Sequence, residues 1–521
     1  MAHTTLVCPR FDPSFWGLEH ALPLFRKHAT MPVGALPLLA ALTPSQHQVS
    51  LVDENVEPID FERLTKSDIV ALTGMSVQRY RMVEILKELK RRGCFTVVGG
   101  AWVSVKEDYF GELADVIFVG EAEESWPRFL NDWEEGRYER RYEQAEKTDM
   151  SQVPPPRYDL LKMDRYLFGN IQLSRGCPFQ CEFCDIIVTF GRRPRFKTAQ
   201  QIITELELLH SQKIQLVFIV DDNLIGNRKF IKAILPEIAA WQKRHGFPFL
   251  FTAEASLDLA EDEETMRLML DANILSVFIG VESPNEEALR ETKKFQNIST
   301  KRSLLERIHK VQNAGLEVMC GMILGFDHDD PSIFEWQRRF LKESHVTEAS
   351  VGMLFAVPKT PLYTRLAAEG RLDTRDRSEF GTNVIPLKMS REMLRDNYIR
   401  LMEDIYHPEA YFERLENFIA RKGFRFTSTH FQYLREHLLT RILTRMKYWV
   451  QWALFFYQLM RRVADPPLRA EYRRRLVNVL KTRREPFLLF AYAFKCAAHY
   501  HHYLLARQMA EHESPVLSSI Q

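Results

Sequence analysis

Two series of short apolar runs, each interleaved with amphipathic stretches, occupy the first 365 residues of this 521-residue chain. Parallel strands need a long crossover between them, so this rhythm predicts parallel sheets covered by helices. In the first series the candidate strands are Thr5–Cys8, Val49–Val52, Ile69–Thr73, Thr96–Val98 and Val116–Val119. A helix over Ser76–Arg92, stopped by Gly93, fits between two of them. Residues 1–140 therefore read as a Rossmann-like α/β domain. The second series runs Asn170–Ser174, Leu216–Asp221, Phe249–Glu254, Ser276–Glu282, Leu316–Leu324 and Ala349–Phe355. Helices are predicted between these near Ala199–Ser211, Lys229–His245, Glu263–Ala272 and Lys301–Ala314. Six such units predict a partial (β/α)6 TIM-type barrel over 169–370. Residues 141–168, with Pro154, Pro155 and Pro156, read as a stiff linker. Residues 371–521 read as a helical C-terminal extension, aromatic and basic.

Chemistry concentrates where such folds place it, at the C-terminal ends of the strands. In the second series those ends carry Asp221-Asp222-Asn223, Glu254, Glu282-Ser283 and the run Gly321 to Asp327. Packing alone does not call for polar or glycine residues at every one. In the first series Gly74-Met75-Ser76, Gly99-Gly100 and Gly120-Glu121 close the strands. Glycine there lets backbone approach a large flat ligand, although tight turns use it too.

After the first strand of the second series comes Cys177-Pro178-Phe179-Gln180-Cys181-Glu182-Phe183-Cys184, a C-x3-C-x2-C loop. Zinc would want a fourth Cys or His at matching spacing, and none follows nearby. Three thiolates are one too few for the usual [4Fe-4S] cluster, which leaves one iron open to a substrate or cofactor. The chain has seven cysteines, three of them in this loop, which is not a disulfide framework. Cys8, Cys94, Cys320 and Cys496 read as packing residues.

The second series resembles the radical S-adenosylmethionine (SAM) superfamily, and the whole chain is similar to its cobalamin-binding class. Within that class it resembles proteins with a C-terminal extension, a group that includes the hopanoid C-2 methylases. The likeness rests on the cysteine loop and on the runs Leu51 to Val56, Gly191 to Arg195, Val220 to Asn227 and Pro358 to Tyr363. It implies that Cys177, Cys181 and Cys184 hold a [4Fe-4S] cluster whose open iron chelates SAM. It implies that Phe183 meets the adenine through its backbone, and that Gly321 and Gly325 lie under that ring. Asp221 and Asp222 stand where other members carry Gly-Gly-Glu, so they match the SAM amino site in position but not in type. Glu254 and Glu282 match positions facing the methionyl or ribose parts. Ser76, Gly99 and Gly100 are the corresponding cobalamin contacts. Asp53-Glu54-Asn55-Val56-Glu57-Pro58 lacks the histidine that many cobalamin proteins place under cobalt. The lower face would then take water, another side chain or nothing.

The activity implied is C-methylation of an unactivated carbon. The rivals are a cyclase or oxidoreductase using the same cofactors, and a cobalamin carrier with a structural cluster. Asp185 and the run Gly191 to Arg195 follow the cluster loop closely. Arg192, Arg193 and Arg195 suit a SAM carboxylate or an anionic substrate, or else surface ion pairs. A reductant such as flavodoxin or ferredoxin is implied as partner. Residues 431–521 carry 15 Lys and Arg against six acidic residues, so the rest of the chain holds a net −8 of the total +1. That tail suits an anionic surface or, equally, a solvated Arg-rich helical face. Its stretch Tyr448 to Met460 is too short to span a bilayer but fits a peripheral lipid contact as well as ordinary helix packing. A lipid-like, polyisoprenoid substrate is thus favoured over nucleic acid. The N-terminal run has no charged and apolar leader, so a cytoplasmic protein is expected.

Overall fold

Side chains alternate across a strand, and a sheet buried on both faces must send them to two different cores. The computed structural model, which describes residues 1–376, 380–421 and 423–512, shows this directly. Strands β1 (His3–Cys8), β2 (Gln48–Asp53), β3 (Ile69–Thr73), β4 (Thr96–Gly99), β5 (Val116–Val119) and β6 (Arg141–Glu143) form one sheet, every pair parallel. Val7, Val70, Leu72 and Val98 pack with Met82, Ile85 and Leu86 on one face. Leu6, Cys8, Ile69, Ala71 and Val97 pack with Trp126 and Phe129 on the other. The strand order is β2-β1-β3-β4-β5-β6. The direction of winding reverses between β1 and β3, which opens a crevice at their C-terminal ends.

β6 falls inside the stretch read as a linker. It is a short edge strand with one buried residue, Tyr142, stacked on Phe118 at 5.3 Å between ring centroids. Three residues flanked by charge leave no apolar run to notice. The rest of that stretch is pinned to both sheets. The Tyr158 hydroxyl donates to the Asn170 carbonyl at 2.7 Å, and the Tyr166 hydroxyl donates to the Asp53 carboxylate at 2.7 Å.

The second sheet contains β7 (Gly169–Ile171), β10 (Leu216–Ile219), β11 (Leu250–Ala255), β12 (Ile274–Glu282), β13 (Glu317–Leu324) and β14 (Ala349–Met353), parallel and in chain order. That is an open barrel of six β/α units. Between β7 and β10 a two-stranded antiparallel ribbon, β8 (Ser174–Arg175) and β9 (Arg195–Phe196), frames the cysteine loop. The expected strand Asn170–Ser174 is therefore broken. Asp221 accepts hydrogen bonds from the Leu173 amide and the Ser174 hydroxyl, both at 2.6 Å, and bends the chain out of the barrel there.

The C-terminal helices share the barrel's core rather than forming a separate one. Tyr406 both donates to the Ala349 carbonyl (2.8 Å) and accepts from its amide (3.2 Å). Arg414 donates to the Val346 carbonyl at 2.8 Å, and Lys495 sits between Glu317 (2.6 Å) and Glu348 (3.1 Å). These contacts close the N-terminal end of the barrel. Among the described residues no helix is long and apolar enough to cross a membrane.

Tyr166 is buried and is the cross-sheet partner of the buried Asp53. Tyr166→Phe should lower unfolding stability by about 1–3 kcal/mol, because it leaves a buried carboxylate short of a donor. A urea midpoint equal to that of the parent would contradict this.

Candidate active site

The cysteine loop is held from several sides. Gly176, at φ +99°, turns the chain out of β8, and a Cβ there would lie 3.1 Å from the carbonyls of Gly191 and Arg193. The Gly176 amide donates to Asp222 at 2.6 Å. The Cys177 amide donates to the Gly191 carbonyl at 3.3 Å, and the Glu182 amide to that of Thr292 at 3.0 Å. Cys177, Cys181 and Cys184 are all free thiols. Side-chain amides reach two of them: Asn223 lies 3.9 Å from the Cys177 sulfur and Gln296 lies 3.5 Å from that of Cys181. The other four cysteines lie elsewhere. Cys320 is inside β13, Cys496 in the helix Pro486–His512, and Cys8 and Cys94 in the first sheet's layer. No fourth cysteine joins the loop.

A layer of acids lines the same end of the barrel. Burial pushes Asp221 up to about 7, Asp222 to about 6 and Glu254 to about 8, and the two aspartates add to the effect on Glu254. Asp221 and Asp222 are already engaged with Leu173, Ser174 and Gly176, so they position the loop. Among the described residues the Glu254 carboxylate has no hydrogen-bond or ion-pair partner. Glu282 ends β12 with φ +65°, a left-handed backbone that is strained for a non-glycine residue. Its carboxylate pairs with the buried Lys294 ammonium at 2.7 Å. Gly280 makes the room for this pair: a Cβ there would lie 2.2 Å from Glu282 Oε1 and 2.8 Å from Lys294 Nζ. Gly321 is likewise close-packed, with Phe278 3.2 Å from where a Cβ would stand. Gly325, at φ +97°, donates to the buried Asp329 at 2.9 Å. Phe183 faces Phe326, with centroids 6.1 Å apart, and Lys294 lies over its ring.

The barrel thus brings Phe183, Asp221, Asp222, Glu254, Glu282, Gly321 and Gly325 to the cysteines' end. Ser76, Gly99 and Gly100 lie at the C-terminal edge of the first sheet instead. Gly100 (φ +99°) is fixed by loop packing, since a Cβ would stand 2.8 Å from Gly74 backbone. Gly120, at φ +74°, has nothing within 4 Å of its Cβ position and so opens onto free space. Asp53, Glu54 and Asn55 are occupied: Asp53 by Asn55 and Tyr166, Glu54 by Arg81, and Asn55 by the Phe11 amide.

The two edges meet through Arg175, the residue before Gly176. Its guanidinium reaches Glu121 at 2.6 Å and Glu123 at 2.7 Å; Arg175 and Glu121 are buried and Glu123 is half-buried. Arg195 also bonds Glu121 (2.9 Å) and the Thr148 carbonyl (2.6 Å), so it is a structural residue and not free for an anion. Arg192 and Arg193 stay exposed. Lys294, Gln296 and the Arg175–Glu121–Glu123 group escaped the sequence reading. Lys293-Lys294 looks there like an ordinary solvated pair, and the cross-sheet partners lie 52 and 54 residues apart.

Residues 171–336 match the family model described as Radical SAM superfamily, and 360–514 match a domain of unknown function, DUF4070. The chain is 35% identical to the hopanoid C-2 methylase of Rhodopseudomonas palustris, over 80% of its own length and 79% of the relative's. It is 38% identical to the uncharacterized methyltransferase sll1242 of Synechocystis, over 78% and 77%. The chain belongs to the cobalamin-binding radical SAM family. It is an enzyme of that family, and its fold matches solved members. The cobalamin-dependent radical enzyme OxsB superposes with a TM-score of 0.61 at 14% identity, over 96% of this chain and 84% of that one. TsrM from Kitasatospora setae gives 0.59 at 17% identity, over 76% and 83%.

The raised Glu254 means that the ligand-free fold binds a proton which the unfolded chain releases near the ordinary carboxylate pKa. Its contribution therefore favours folding at low pH and weakens as pH rises towards about 8. Glu254→Gln should flatten the fall in thermal stability of ligand-free protein between pH 6 and pH 8.5. A parent-like slope in the variant would refute the assignment.

Proposed function

We propose that this enzyme is a cobalamin-dependent radical SAM C-methyltransferase acting on an unactivated carbon of a lipid-like, polyisoprenoid substrate. The observation that carries the radical chemistry is the set of three free thiols in one rigid loop with no fourth cysteine beside them. With a [4Fe-4S] cluster, SAM and cobalamin bound, the cofactors supply hydrogen abstraction and the methyl group. Cys177, Cys181 and Cys184 are the residues to hold the cluster. Asn223 and Gln296 direct amide donors at the thiolates and stabilise their charge. Glu254, half-buried and unpartnered, suits the cationic part of SAM, and Phe183 with Gly321 and Gly325 suits its flat ring. The glycine-bordered edge of the first sheet, open at Gly120, is the edge that suits a corrin. Arg175 with Glu121 and Glu123 holds that edge against the cysteine loop, so a substrate between them is screened from water.

The relatives' names support methyl transfer. The test is product analysis on anaerobically reconstituted protein given SAM, a reductant such as flavodoxin and a polyisoprenoid lipid. S-adenosylhomocysteine and 5′-deoxyadenosine should form together, and each Cys→Ser variant in the loop should abolish the deoxyadenosine. Deoxyadenosine alone would instead mark a cyclase or oxidoreductase.

The lipid reading draws on the helix Leu438–Arg462. Leu439, Ile442, Leu443, Met446, Val450, Leu454 and Tyr457 recur at helical spacing and are all exposed, Leu439 by 71%. Lys447 and Arg461 flank this stripe, and Arg441, Arg445 and Arg462 are exposed on the same helix. An apolar face edged with cations is built to lie in an anionic lipid surface. The protein should sediment with phosphatidylglycerol vesicles and less with phosphatidylcholine vesicles. Leu443→Asp with Val450→Asp should release it. Equal sedimentation of that variant would reject the contact.

A further inference from the structure

Below the acid layer the bore of the barrel is not filled. A cavity of about 160 Å³ lies there, walled by strand residues such as Leu216, Leu250 and Met319 and by the helix Pro486–His512. Leu250, Thr252 and Glu254 share the inward face of β11, and the first two line the cavity. The cavity's upper wall is thus one inward position below Glu254, about 7 Å along the strand. Trp16, on the chain that follows β1, enters the bore and packs edge-on against Phe278 (4.7 Å) and Phe218 (6.1 Å). On the far side the helix presents Ala491 and Ala498 beside Phe490 and Phe494, and these small residues leave the space open.

One wall residue is unsatisfied. His502 is 2% exposed, stacks on Phe15 at 4.6 Å, and its buried Nδ1 has no hydrogen-bond partner. Burial lowers its pKa to about 3, so it is neutral and its ring can exchange one hydrogen bond with a hydroxyl. Most other polar groups of the wall are engaged, Thr30 by the Gly17 carbonyl among them. Thr252 and Ser276 bond each other at 2.7 Å, and Lys495 bridges Glu317 and Glu348. Buried polar atoms without partners are uncommon in folded proteins, and cavities of this size accept small apolar molecules.

We propose that this cavity is a binding site for the apolar end of the substrate, a branched hydrocarbon segment carrying one hydroxyl that bonds His502. The assignment rests on the lipid-substrate reading above. It places the far end of the substrate beside Ala498, below the level of Glu254.

Equilibrium dialysis of cluster- and cobalamin-loaded protein against radiolabelled geraniol, a ten-carbon isoprenoid alcohol, tests it. The parent should bind geraniol more tightly than myrcene, a hydrocarbon of the same carbon number. His502→Phe should bind geraniol about 5-fold more weakly, as loss of one hydrogen bond predicts. Ala498→Phe should fill the cavity and abolish binding, and Ala491→Phe should do the same if Ala498→Phe does not fold. Absence of geraniol binding by the parent, or undiminished binding by both filled variants, would overturn the proposal. Products lacking S-adenosylhomocysteine would refute methyl transfer while leaving the dialysis result to decide the cavity.

Discussion

Arg175 is the residue on which the geometry of the site turns. It ends β8, precedes the left-handed Gly176 and the first cysteine, and points its guanidinium away from the barrel into Glu121 and Glu123. Burying one cation with two carboxylates is a poor way to gain stability, because desolvation offsets most of the Coulomb attraction. It is a good way to fix a direction, since the planar fork accepts few arrangements. Both acids directly follow β5 and Gly120, so the loop that carries the thiols and the open edge of the first sheet are held face to face. Arg195 and Thr148 extend the same network to the ribbon and to the connecting segment.

The acid layer has a different logic. Three carboxylates, Asp221, Asp222 and Glu254, are pushed up by burial, while Glu282 is paired with Lys294. Two of the raised acids accept backbone or hydroxyl donors that shape the cysteine loop, and Glu254 has none. A buried acid without a partner is costly in its charged form, and an arriving cation relieves that cost. The strained Glu282 is held in place by the ion pair and by the space at Gly280. Strain at the end of β12 and an unpaired acid at the end of the neighbouring β11 mark a place organised for a ligand rather than for stability.

Much of this was legible in the chain because parallel strands buried on both faces write themselves as apolar runs, and barrel chemistry falls at their ends. The five longer strands of the first sheet and the helix Ala199–Ser211 lie where periodicity puts them. β6 was not legible, since an edge strand with one inward tyrosine has no pattern. The break between β7 and β8 was not legible either, because it is made by Asp221, 48 residues further along the chain than Leu173. Asp221 and Asp222 looked like ligand groups from their position at a strand end. The structure uses them on the loop itself. Lys294 and Arg175 became visible only once the fold paired them with Glu282 and with Glu121 and Glu123, because a charged residue alone in sequence is indistinguishable from surface.

The two ends of the barrel are closed by different means, and this sets how an apolar molecule would meet it. At the C-terminal end the first sheet lies across the mouth. At the other end the cover is the helix Pro486–His512, whose inner side walls the cavity through Phe494 and Ala498. Its outer side carries the helix Leu438–Arg462, with Tyr448 packed on Phe487 at 5.1 Å and Phe455 on Phe490 at 5.9 Å. The helix that exposes an apolar stripe to solvent is therefore one layer removed from the cavity wall. Phe25, on the chain after β1, touches both Phe455 (4.6 Å) and Phe494 (4.9 Å), so the same aromatic layer also holds the segment that carries Trp16. The rings of Phe455, Phe25 and Phe494 thus lead from the outer helix to the cavity wall. The exposed apolar stripe of that helix and the apolar space beneath the acid layer are thus parts of one packed unit.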